Sequence, residues 1–223
     1  MSENAQPDFF CYLRRRVHVN RQISMLLRHY FEHVCAFAAA YDIHFTADEF
    51  DMIRTHTRHA VWPAHTILME QGKQVETLYF LNRGIARLYR EHKGIDHTLG
   101  IVSSNYFLST PLFLQSGEPS TCSLESLSEI DVLIWDKPTV LLLKREIPKM
   151  NDMDLAVMGA LLNWLQENQI NAICMTAEER YVHLMETQPL VIQNVPLKYI
   201  ASYLAIHQDS LSRIRKQIAK GTK

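Results

Sequence analysis

The chain has 223 residues, 47% hydrophobic and 21% charged, with a formal net charge of −1, which is the balance of a globular protein long enough for one large or two small domains. No uninterrupted apolar run approaches the ~20 residues of a membrane span, and the start does not read as a secretory signal, because Arg14-Arg15-Arg16 follows the short run Phe9 to Leu13. The four cysteines, Cys11, Cys35, Cys122 and Cys174, stand far apart with no Cys-x-x-Cys; this argues against a zinc ribbon or a disulfide framework and predicts reduced thiols in a cytoplasmic protein.

Residues 1–24 are polar and Arg-rich without a sustained period, and fit either a flexible arm or an over-long start with Met25 as the working first residue. Met25 to about Ala40 carries Leu26, Leu27, Tyr30, Phe31 and Val34 at helical spacing. Thr46-Ala47-Asp48-Glu49 is a capping box, and the helix that it starts is expected to run to about His59. From Val61 the pattern becomes short β-branched and aromatic segments: Thr66 to Met69, Thr77 to Leu81, Ile85 to Tyr89, His97 to Val102, Thr121 to Leu127 and Ile130 to Trp135. Gly72, Asn82-Arg83-Gly84, Lys93-Gly94 and Ser116-Gly117 punctuate them as turns. Many short strands at fairly even spacing predict a sandwich or barrel-like roll. Asn105 to Gln115, apolar but holding Pro111, reads as a short helix or loop against that roll.

Asp136 opens a helical segment, Thr139 to Lys144, which Pro148 interrupts. Asp152 to about Met175 is the longest helical run. In it Leu155, Met158, Leu162, Leu165, Gln169 and Ala172 alternate at spacings of three and four, with Leu161 and Ile173 flanking them. That is an a/d seam, able to pair with a copy of itself or to pack on its own domain. Gln169 favours the pairing, since an amide is tolerated at a two-helix interface and costly in a core. Thr176-Ala177-Glu178-Glu179 is a second capping box, so the chain changes direction there. The expected organisation is an arm at 1–24, a roll domain at 25–150, a long helix able to pair with a copy of itself at 151–175 and a C-terminal helical domain at 176–223.

Val195 to Ile218 reads as two short helices about a tight turn. Pro196 suits a first helical turn, and Leu197, Ile200, Ala201 and Leu204 share one face. Ala205-Ile206-His207 breaks the period, and Gln208-Asp209-Ser210 can cap a new helix. Leu211, Ile214 and Ile218 then leave a narrow apolar stripe. Between Val195 and Lys223 six cationic residues stand against Asp209 alone, a balance of +5. A basic module on an otherwise acidic chain is the footprint of phosphate contact.

Roll, long helix, capped hinge and helix-turn-helix, in this order, resemble the family of the cyclic-AMP receptor protein and the fumarate-nitrate regulator (Crp/Fnr). The motifs TAEERY, VPLKYIASYL and SLSRIRKQI are similar to its Bacteroidetes-type members, and ILMEQGKQVETLYFLNRGIARLY resembles the opening of a cyclic-nucleotide-type roll. The resemblance implies an α+β fold: an N-terminal antiparallel jelly roll with flanking helices, a long dimerisation helix, and a C-terminal all-α helix-turn-helix domain of the winged type. It implies a homodimeric transcription regulator that binds double-stranded DNA and works with RNA polymerase. By resemblance Gln208, Asp209, Ser212 and Arg213 stand where bases are read, and Lys198, His207, Arg215 and Lys216 are placed for phosphates. Leu155, Met158, Leu162, Leu165 and Gln169 then form the dimer interface.

The chain departs from the family where cyclic nucleotides are held. Phe-Gly-Glu and Arg-Ser/Thr-Ala are replaced by Phe107-Leu108-Ser109 and Pro119-Ser120-Thr121. The carboxylate for the ribose and the cation for the phosphate are missing, so cyclic AMP is not expected as effector. If the roll has an effector, a more apolar molecule is expected, in a pocket at Phe107, Leu108, Ser109, Ser120 and Thr121. Cys11 and Cys35 do not make the cysteine group of the iron–sulfur members. Ala205 stands where the turn usually has Gly, and only Ala219 to Lys223 remain for a wing.

Other readings carry less. His29 and His33, and more weakly His56 and His59, have metal-chelating spacing, but the sequence places no third ligand. An enzyme built on the roll with histidine ligands therefore stands behind the regulator. So does a ligand-binding module whose helix-turn-helix contacts protein, against which the basic C-terminal balance argues.

Overall fold

The structure, a computed structural model, describes residues 30–109, 114 and 116–221. The expected arm at 1–24, the helix start at Met25, Cys11, His29 and Pro111 lie outside them.

Two helices precede the sheets, α1 (residues 30–40) and α2 (Ala47–Thr55). Phe31, Val34 and Ala38 recur at helical spacing on α1, and all three are buried. At α2 both legs of the capping box are present: the Thr46 hydroxyl accepts from the Glu49 amide, and the Glu49 carboxylate accepts from the Thr46 amide at 2.7 Å. Helix α2 stops at Thr55, short of the expected His59, because Arg58–Trp62 is strand β1. The Thr57 hydroxyl donates to Ile53 O at 2.6 Å and accepts from Trp135 Nε1 at 2.8 Å, so the turn is fixed from across the core.

Seven more strands follow: β2 (Ile67–Met69), β3 (Thr77–Arg83), β4 (Ile85–His92), β5 (Ile95–Ser103), β6 (Tyr106–Leu108), β7 (Ser123–Ser126) and β8 (Ile130–Asp136). They form two four-stranded sheets, ordered β1-β8-β3-β6 and β2-β7-β4-β5, with every pairing antiparallel. This is the expected jelly roll. β6 falls within the stretch read as helix or loop; it pairs with β3 from Tyr79↔Leu108 to Leu81↔Tyr106.

Tyr79, Leu81, Ile130 and Val132 of one sheet meet Met69, Ala86 and Leu124 of the other in the core between the sheets. Phe80, Leu133 and Trp135 point the other way, against α1 and the helices that follow the roll. β8 is therefore covered on both faces, which explains its nearly continuous apolar run. Gly84 turns β3 into β4 at φ +109°, and a Cβ there would strike Glu129 O and Ile130.

α3 (Lys137–Glu146) opens with the Asp136 carboxylate accepting from the Thr139 amide at 3.0 Å. α4 (Lys149–Cys174) runs for 26 residues and begins directly after Pro148, ahead of the expected Asp152. α5 (Ala177–Thr187) starts on the second capping box. α6 (Pro189–Asn194), α7 (Leu197–Tyr203) and α8 (Gln208–Gly221) complete the chain. Tyr181, Leu184, Val191, Ile200, Leu204 and Leu211 form a third core, which takes in Ile85 and Ile101 from β4 and β5. The packing thus crosses the boundary expected near 175. Ala219 and Lys220, expected as the stub of a wing, are helical.

Candidate nucleic-acid interface and sensor cavity

α7 and α8 are joined by a tight turn at Ala205, whose φ is +53°. A non-glycine residue accepts this left-handed conformation at some cost, and the turn holds it through the Ala205 amide to Ser202 O and the Ile206 amide to Ala201 O, both at 3.0 Å. The start of α8 differs from expectation. Gln208, Asp209 and Ser210 lie inside its first turn, and the His207 ring nitrogen is the acceptor for the Asp209 amide at 3.4 Å. The same nitrogen lies 3.3 Å from the Asp209 carboxylate, both side chains being 79% exposed.

Leu211 is fully buried beneath α7, with Ile214 and Ile218 half-buried beside it. The far side of α8 carries two polar stripes, since residues four and seven apart share a face. One is Gln208, Ser212 and Arg215; the other is Asp209, Arg213 and Lys216. All are exposed except Ser212, which is half-buried and donates its hydroxyl to Gln208 O at 3.0 Å. Lys198 is exposed on α7, its Nζ 4.6 Å from the Tyr199 ring centroid.

The two helices are held to the rest of the protein at defined points. Arg180 on α5 donates through Nη2 to Leu204 O at 2.8 Å. The Thr98 amide on β5 donates to Ser202 Oγ at 2.9 Å. Arg87 on β4, its side chain 4% exposed, lies between the Tyr89 ring at 4.1 Å and the Tyr199 ring at 4.0 Å. Asp96 takes it bidentately at 2.8 and 2.7 Å, and Glu125 accepts from Nε at 2.9 Å. Burial disfavours the guanidinium charge, and the bonds to Asp96 and Glu125 outweigh that, so its pKa is raised. This ion cluster went unread in the sequence; the available signal was a cation between Ala86 and Leu88 in an apolar strand.

α4 has two contrasting faces. Met153, Ala156 and Val157 are buried toward the roll. Leu155, Leu162 and Leu165 are 72%, 64% and 48% exposed, Gln169 and Ile173 are exposed as well, and Met158 is half-buried. The predicted seam therefore faces away from its own domain. Trp164 lies on the roll side so close to Gly100 of β5 that a Cβ there would stand 2.8 Å from Cζ2.

Between roll and α4 lies an apolar cavity of about 340 Å³, walled by Leu88, Val102, Phe107, Leu108, Leu161 and Trp164. Ser109 reaches its edge, its hydroxyl donating to Thr77 O at 2.6 Å. Ser120 and Thr121 are not part of this wall. The Ser120 backbone is tied to Gly72 and Lys73, at 2.8 Å each, and its hydroxyl donates to Cys122 O at 2.7 Å, while Thr121 is exposed. Of the two histidine pairs only His56 and His59 lie wholly within the described residues, and their rings take separate partners: His56 Nδ1 meets Met52 O at 2.8 Å, and His59 Nε2 meets Asp131 at 3.0 Å. Among the described residues no group of three His, Cys, Asp or Glu is placed to hold a metal ion, and no helix is long and apolar enough to cross a membrane.

Residues 60–145 match the family model of the cyclic nucleotide-binding domain. A search of curated proteins found no match. Among solved structures, the chain is similar to the c-di-GMP-responsive global regulator CLP of Xanthomonas campestris, with TM-score 0.62 and 15% identity over 79% of this chain and 93% of that one. It is similar to FixK2 from Bradyrhizobium japonicum, with TM-score 0.64 and 13% identity over 74% of this chain and 86% of that one. A protein from Eubacterium rectale, described as a transcriptional regulator of the Crp/Fnr family, aligns with TM-score 0.63 and 11% identity over 79% of this chain and 85% of that one. At these identities the likeness is one of fold.

Proposed function

We propose that the protein is a homodimeric, sequence-specific DNA-binding transcription regulator of the Crp/Fnr type, of the Bacteroidetes-type subgroup that TAEERY and its neighbouring motifs resemble. It acts in the cytoplasm, not as an enzyme, and engages RNA polymerase at its promoters. The observation that carries this reading is α8, which buries one stripe through Leu211 and presents Gln208, Asp209, Arg213, Arg215 and Lys216 outward. Such a helix fits a major groove. Gln208, Asp209, Ser212 and Arg213 read bases, and Lys198, His207, Arg215 and Lys216 hold phosphates. The solvent-facing seam of α4 pairs with its copy through Leu155, Met158, Leu162, Leu165 and Gln169. Residues 25–150 sense, 151–175 dimerise and 176–223 read.

The roll works without the usual cyclic-AMP contacts, and any effector of its apolar cavity is a largely uncharged molecule. Selection of bound sequences from random duplex DNA tests the activity. Enrichment of an inverted repeat with half-sites one helical turn apart is the expected result. A soluble, dimeric protein that enriches nothing points instead to a module working through protein partners.

A further inference from the structure

A second cavity, also of about 340 Å³, lies where β5, α4, α5 and α7 meet, with Leu99, Asn168, Arg180 and Tyr203 in its wall. It shares Tyr106 and Trp164 with the apolar cavity but differs from it in chemistry. The Arg180 guanidinium spends Nη2 on the neutral carbonyl of Leu204, and its Nε is buried with no hydrogen-bond partner among the described residues. Asn168 accepts the Tyr203 hydroxyl on Oδ1 at 2.7 Å, and its Nδ2 is likewise buried and unpartnered. Two buried donors without acceptors, one of them on a cation, are costly unless something with lone pairs meets them.

We propose that this cleft is a binding site for a small organic anion, with an oxyanion head on Arg180 and Asn168 and a flat apolar body against Trp164. The volume suits such a molecule. An oxyanion offers several lone pairs to the two donors at once, and a guanidinium matches its geometry. The charge of Arg180 is felt inside the cleft: burial pushes the Tyr203 phenol up, and Arg180 pulls against that shift. The other ionisable side chains of the wall, Tyr106, Glu167 and His183, are exposed to solvent. A ligand here touches a strand of the roll, the long helix and α7 together, so it is placed to fix the reading helices against the sensor.

The test uses the full-length protein and three benzene probes, namely phenyl phosphate, benzoate and neutral benzamide, followed by calorimetry and tryptophan fluorescence. Saturable binding of phenyl phosphate or benzoate is expected, with benzamide weaker by roughly tenfold or more; the stronger of the two anions identifies a phosphate or a carboxylate as the head. Asn168→Asp keeps the acceptor for Tyr203 while replacing the free donor with a negative charge, and should weaken the anion by roughly tenfold or more. Arg180→Gln should act in the same direction. Leu161→Phe, which fills the apolar cavity, should leave binding unchanged. Equal binding of benzamide, unchanged affinity in Asn168→Asp, or no saturation by either anion below about 10 mM overturns the site. No DNA is involved, so this proposal and the DNA-reading one fail separately.

Discussion

On β4 the Arg87 side chain lies where water does not reach, with Asp96 and Glu125 around its nitrogens and a tyrosine ring on each face. One of those rings, Tyr199, belongs to α7. Arg87→Met removes the cation and leaves the Glu125 carboxylate buried, with the His65 ring nitrogen at 2.8 Å. Breaking one side of a buried pair costs ~3–5 kcal/mol, so urea unfolding should show a loss of that order. Arg87→Met with Glu125→Gln should recover part of it, and a single-variant loss below ~1 kcal/mol would mean that the cluster is idle. Residue chemistry also bears on what the roll can hold. Ser109 and exposed Pro119 stand where the resembling family has its ribose carboxylate and phosphate cation, and the Ser109 hydroxyl is already bonded to Thr77 O. Losing one such charge-assisted bond costs ~1.5–3 kcal/mol, so calorimetry should find no micromolar cyclic-AMP binding. Ala205 was legible in the sequence as a turn residue standing in for Gly. Arg87 was not, because its partners Asp96 and Glu125 are brought to it only by the pairing of β4 with β5 and β7.

Helix caps were the most readable elements, since both lie within four residues of chain: Thr46 with Glu49, and Thr176 with Glu179. β1 and β6 were not readable, because each is a strand only through its partner, β8 or β3. α6 was missed as well, lying between Pro189 and Pro196 with too few residues to show a period. Glu49 does more than cap. Lys149 of α4 bonds its carboxylate at 2.8 Å and, together with the Thr46 amide, holds its pKa below the usual value. A lowered folded-state pKa contributes stability above the unfolded value and loses it as pH falls through the folded one. Glu49→Gln should therefore flatten the acid limb of the stability curve, below the ordinary carboxylate pKa, and leave the slope near neutrality alone. An unaltered acid limb in thermal melts would contradict this. The long helix gives the sharpest element-scale test. Leu162 and Leu165 are apolar and exposed in mid-seam, an arrangement favoured only if another surface covers it. The pair Leu162→Asp and Leu165→Asp should yield folded monomers by light scattering, and a persisting dimer would place the interface elsewhere.

At the scale of the whole molecule, the third core packs the roll and the C-terminal helices together, with Ile85 and Ile101 of the roll in the same cluster as Leu204 and Leu211. The order of modules was legible, because charge, caps and periodicity change along the chain. Their docking was not, because it rests on contacts such as Thr98 with Ser202, 104 residues apart. If two copies join along α4 as proposed, they present two α8 helices, and the operator should then be an inverted repeat. Arg213 is the residue to interrogate, since a guanidinium can take O6 and N7 of guanine together, whereas Lys216 contributes charge. The decisive measurement is a titration of wild type, Arg213→Ala and Lys216→Ala against a selected duplex and its single mismatches over a salt series. Arg213→Ala should lose ~1–3 kcal/mol on the selected duplex and cease to discriminate at one symmetric base pair, while Lys216→Ala should weaken every duplex alike and flatten the salt slope by about one. Equal losses from Arg213→Ala on matched and mismatched duplexes would contradict base reading by that residue, and a wild type that binds neither duplex would contradict the account itself.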